Sequence, residues 1–97
     1  MKLSYCHQFA LTAVESRHLV SAVKIISTPK PIDDYNFFFI RRQIELCAER
    51  GQNLFLKSVT KWLETENEST CLRFKPAIVE VAAITDKFYL LTIAHHG

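Results

Sequence analysis

The residues best equipped for chemistry sit at the two ends of the chain. Cys6-His7 stands near the start and His95-His96 near the close. Thiolate and imidazole are zinc ligands, and neighbouring terminal strands would bring the four within reach of one ion. The spacing argues against it. Adjacent residues in a strand point to opposite faces, so a dipeptide seldom delivers both side chains to one metal. His95-His96-Gly97 reads equally well as a terminal tail. A Cys/His nucleophile pair from these residues would also need an orienting third group and an oxyanion site. The chain offers no glycine-rich turn to build one. Cys47 falls at an apolar helical position and reads as a small core thiol. No metal, no cofactor and no catalytic residue are expected.

A second group of residues could meet phosphate. Arg41, Arg42, Lys57 and Lys61 lie on two adjacent candidate helices, with Gly51 between them. Gln43 to Thr60 therefore has the outline of a helix-turn-helix, and the chain beyond it the outline of a winged helix. Lys57, Ser58, Thr60 and Lys61 would face the groove. The sequence departs from the tight form of that turn. Cys47 supplies the small residue four before the glycine, but Arg50 and Gln52 stand where apolar residues are wanted. Glu45 and Glu49 also lie at helical spacing from Arg41 and Arg42 and would pair with them locally.

The third group is aromatic. Tyr35, Phe37, Phe38, Phe39, Phe55 and Trp62 exceed what one small core readily hides. Surplus aromatic side chains suit a protein interface or a pocket. Phe37, Phe38, Phe39, Trp62 and Tyr89 are the expected interaction surface. Glu80, set among apolar residues, belongs on an open sheet face or in an interface pair. With His7 or His95 it is also the polar group of a possible apolar cavity.

These residues must be positioned by the elements around them. Residues 2 to 11, KLSYCHQFAL, alternate with period two, which predicts a first strand with one buried face. Thr12-Ala13-Val14-Glu15 fits a capping box and opens a helix over Ala13 to Ile26, with Leu19, Ala22, Val23 and Ile26 on one stripe. Pro29 and Pro31 force an extended connector. Asp33 or Asp34 caps a second helix, Asp34 to Arg50, whose apolar first half also permits a strand over Tyr35 to Ile40. Gly51 suits a left-handed C-terminal cap. Asn53 starts a third helix, Leu54 to Glu66. Asn67 to Thr70 reads as a polar loop and Cys71 to Lys75 as a short strand ended by Pro76. Ala77 to Ala94 reads as a β-hairpin broken at Thr85-Asp86-Lys87, its second arm apolar on both faces and so central.

The expected fold is α+β in the order β-α-α-α-β-β-β. An antiparallel sheet of about four strands would carry the helices on one face. Ninety-seven residues make one domain, 1–97, able to bury one core without disulfides. Three cysteines with no CxxC spacing argue for a reducing compartment. The N-terminus lacks the apolar run of a signal peptide, and no stretch is long enough to span a membrane, so a cytoplasmic location is expected. A net charge of +2 is too small to argue a partner from, and acidic residues are interspersed with the basic ones instead of leaving a concentrated basic patch. The expected role is a small intracellular protein-interaction module without catalytic activity. Its partner would be another protein or a second copy of itself, with no membrane involved. The alternative is a nucleic-acid binder acting through Arg41, Arg42, Lys57 and Lys61.

Overall fold

The computed structural model describes residues 10–85. Among them lie four helices and no strand: α1 (Ala13–Ser27), α2 (Asp34–Arg50), α3 (Asn53–Thr65) and α4 (Glu68–Thr85). The α+β expectation is therefore overturned, and no antiparallel sheet is present among the described residues. The first strand and the hairpin's second arm, with Tyr89, lie outside them. Ala10 and Leu11 are neither strand nor helix.

α1 and α2 start, and α2 stops, where local chemistry directs. Thr12 and Glu15 form a reciprocal capping box: the Thr12 hydroxyl accepts the Glu15 amide, and the Glu15 carboxylate accepts the Thr12 amide. Asp33 accepts the Asn36 amide at the start of α2. Gly51 closes α2 in the left-handed region, φ 71° and ψ 22°, where a Cβ would clash. α3 begins one residue earlier than expected. Gln52 is its N-cap and makes no side-chain capping bond.

α4 replaces three predicted features at once. The supposed polar loop is its first turn, where the Asn67 carboxamide oxygen accepts the Thr70 amide. The supposed strand Cys71 to Lys75 and the first arm of the hairpin follow as continuous helix, with Pro76 inside it. The physical reason lies in the burial pattern. Phe74, Ala77, Ile78, Val81 and Ala82 are buried, and that spacing of three and four residues fits a helix, not a pleat. β-branched residues lower helix propensity by only tenths of a kcal/mol each, roughly. Packing an apolar stripe against a neighbour outweighs that, and it also outweighs the cost of one proline.

α2 is the hub. It packs against α1, α3 and α4, and α1 also touches α3. Ile40, Ile44, Cys47 and Ala48 from α2 are fully buried. Phe55, Leu56, Val59 and Leu63 close over them from α3, Ala22 from α1, and the α4 stripe from the other side. α1 runs antiparallel to α2, with Glu15 near its start bound to Arg50 near α2's end at 3.0 Å. α3 folds back along α2, so that Trp62 and Phe37 both meet the Phe74 ring, at 5.6 and 4.7 Å between centroids. α4 lies parallel to α2. Asp34 pairs with Arg73 and Arg41 with Glu80, each across 39 residues of sequence. A constant offset is possible only when two helices run the same way. These two pairs lie one heptad apart with signs reversed, the e/g arrangement that flanks a parallel coiled-coil seam.

Candidate functional site

The expected aromatic surface is divided by the fold. Consecutive helical residues turn by about 100°, so Phe37, Phe38 and Phe39 take different directions. Phe37 is core, pressed on Phe74 and roofed by the Arg73 guanidinium 4.2 Å above its ring. Phe39 is half-buried toward α1, edge-on to His18 and stacked on Tyr35. Only Phe38 faces outward, 59% exposed, with its ring 5.2 Å from Phe37. Trp62 is half-buried over the core. Tyr89 lies outside the described residues.

The four cations stand on two helices, two of them already paired. Arg41 is engaged by Glu80 and by Glu45, and Arg42 by Glu45 at 3.0 Å. Lys57 and Lys61 are exposed on α3. Two hydroxyls proposed to face a groove turn back on their own helix: Ser58 donates to the Leu54 carbonyl and Thr60 to that of Leu56. α2 and α3 are joined through Gly51 and Gln52 and pack against one another. Glu80, expected on a sheet, stands on α4 as Arg41's partner. Glu49 stays exposed, and no ion pair joins it to Arg41 or Arg42 among the described residues.

Cys6, His7, His95 and His96 lie outside the described residues. Among those described, no three His, Cys, Asp or Glu side chains gather as metal ligands, and no helix is long and apolar enough to cross a membrane. Cys47 is buried, and burial raises its thiol to about 11. Several clefts open on the surface, two of them beside residues of interest. One, of about 430 Å³, lies between the proline connector and the start of α4, beside Lys30, Pro31 and Arg73. The other, of about 340 Å³, lies between α1 and α2, with Val14, His18, Phe39 and Leu46 in its walls.

The feature that the sequence reading missed is on α4. Opposite its buried stripe runs a second one: Leu72, Pro76, Val79 and Ala83, at spacings of four, three and four. Leu72 is 49% and Val79 44% exposed. A helix apolar on two opposite faces has one more face than its own bundle uses. The signal was present in the sequence, since the outer residues keep helical spacing. The hairpin reading, anchored on Pro76 as a terminator, hid it. Comparison with protein-family models, curated proteins and solved structures finds no match for this chain.

Proposed function

We propose that the chain is a helical protein-interaction module that self-associates and has no catalysis of its own. One observation carries the reading: α4 presents Leu72 and Val79 to solvent while its other face is fully packed, and Phe38 adds an outward aromatic ring on the parallel helix α2. Apolar groups held on rigid helices, rimmed by charge, are the composition of an interface. The rim is Arg73 and Glu80 with their partners Asp34 and Arg41.

Sedimentation over a wide concentration range tests it. A dimer that is lost in Phe38→Glu or Leu72→Glu, with helicity kept, supports the reading. A monomer at every concentration sinks it. Nucleic acid is the competing partner through Lys57, Lys61 and the two arginines. A gel shift that fades steeply with rising salt would transfer the role to it.

A further inference from the structure

We infer that the partner on α4 is a second copy of the same helix, docked parallel and in register about a two-fold axis along the helix. This deepens the self-association reading and rests on it. The outer stripe sets the seam. With Ser69, Pro76 and Ala83 at the a positions and Leu72 and Val79 at d, all five are exposed. The flanking positions are then fixed. Glu68 and Lys75 fall at g, and Arg73 and Glu80 at e. In a parallel pair each g residue meets the e residue five places on in the other chain. Glu68 therefore faces the partner's Arg73, and Lys75 faces the partner's Glu80. Both contacts join opposite charges, and the two-fold repeats each of them.

The opposite orientation fails the same test in the register that sets residue 79 opposite residue 76. In the register that sets residue 79 opposite residue 69 it passes, so the cross-link through residue 79 decides between the two orientations. An antiparallel two-fold pair in the first register brings g against g and e against e, so Lys75 would approach the partner's Lys75 and Glu80 the partner's Glu80. Like charges across a seam destabilise it. Lys75 is half-buried and has no carboxylate within ion-pair distance among the described residues. Among the described residues Glu80 is bound on one side, by Arg41, with its side chain 54% exposed. The partner's Lys75 would complete a run of alternating charge, Arg41–Glu80–Lys75. Among the described residues nothing obstructs the geometry, because the outer stripe lies on the face of α4 turned away from α2 and the core.

The test is charge exchange read by sedimentation, with circular dichroism to verify folding. Lys75→Glu and Glu80→Lys should each weaken dimerisation by about tenfold or more, since two flanking pairs turn repulsive in each. Mixing the two variants should restore association, because each g–e contact in the mixed dimer regains opposite charge. Independently, Val79→Cys places a thiol at a d position facing its own copy. Mild oxidation should give a dimer joined through residue 79. An antiparallel pair would set residue 79 opposite residue 76 or residue 69 and leave that bond unformed. If the wild-type chain is monomeric throughout, self-association and this geometry both fall. If it dimerises but mixing rescues nothing and the Val79→Cys variant does not cross-link, the dimer uses another face or runs antiparallel, and only the α4 geometry falls. If Glu80→Lys unfolds the chain, cross-linking through Val79→Cys alone decides.

Discussion

Among the described residues, Gln43 is the one buried polar side chain, 3% exposed, and no protein group donates to its Oε1. A buried carbonyl without a donor costs roughly 1–3 kcal/mol. Gln43→Met keeps the length of the side chain and removes the polar atom, so it should raise stability by about 1 kcal/mol in urea unfolding. A clear loss would mean that the amide has a partner worth more than its desolvation. The cysteines make a second residue-scale contrast. Cys47 is fully buried on α2, and its raised thiol leaves little thiolate near neutral pH. Cys71 is half-buried, its thiol donating to the Leu63 carbonyl at 3.1 Å. Alkylation followed by peptide mapping should label Cys71 in the native protein and Cys47 only once it unfolds. Equal labelling rates would contradict the burial of Cys47.

At the scale of elements, the start of α1 is a pH-sensitive joint. The Glu15 carboxyl is held below its ordinary value, first by the Thr12 amide it accepts and then by Arg50. Folding thus favours the ionised form. The resulting stability is complete above the ordinary carboxylate range and is lost as pH falls through the lowered value. Glu15→Gln removes this part. The gap in stability between wild type and variant should be widest near neutral pH and close as the pH falls below the lowered value. A gap that stayed constant with pH would show that the carboxylate's charge is not involved. The same residues explain what was legible in advance. Thr12 with Glu15, Asp33 and Gly51 each carry a terminal signal in a few adjacent residues, so α1 and α2 could be read locally. α4 opens on a cap of the same kind, Asn67 on the Thr70 amide, but contains a signal that misleads. Pro76 commonly ends an element, and Ile78, Val79 and Val81 favour strands when read alone. What makes the segment helical is the packing of Phe74, Ile78 and Val81 against α2, and a partner nearly forty residues upstream is invisible to a local window. The expected interaction surface is divided for a related reason. Phe37, Phe38 and Phe39 were grouped by composition, while a helix sends them to three different environments.

For the whole molecule, the arrangement around α2 makes a strong statement about cooperativity. α1, α3 and α4 each pack on α2, so no pair of the others retains a full core without it. Ile44 is the test position: 1% exposed and midway along α2. Ile44→Ala removes buried methylenes and leaves a cavity, at a cost of about 2–5 kcal/mol. A chain of this size has only about 5–15 kcal/mol in all, so much of its margin would go. Two probes see different parts of the loss. Far-ultraviolet circular dichroism reports all the helices. Trp62, the single tryptophan, reports the contact of α3 with Phe74 on α4. If α2 binds the four helices into one unit, both signals should shift together to lower denaturant and remain superimposed in wild type and variant. Fluorescence that holds its midpoint while the dichroism moves would split α3 and α4 from the rest. It would also remove the rigid support on which the outer face of α4 depends for any partner it takes.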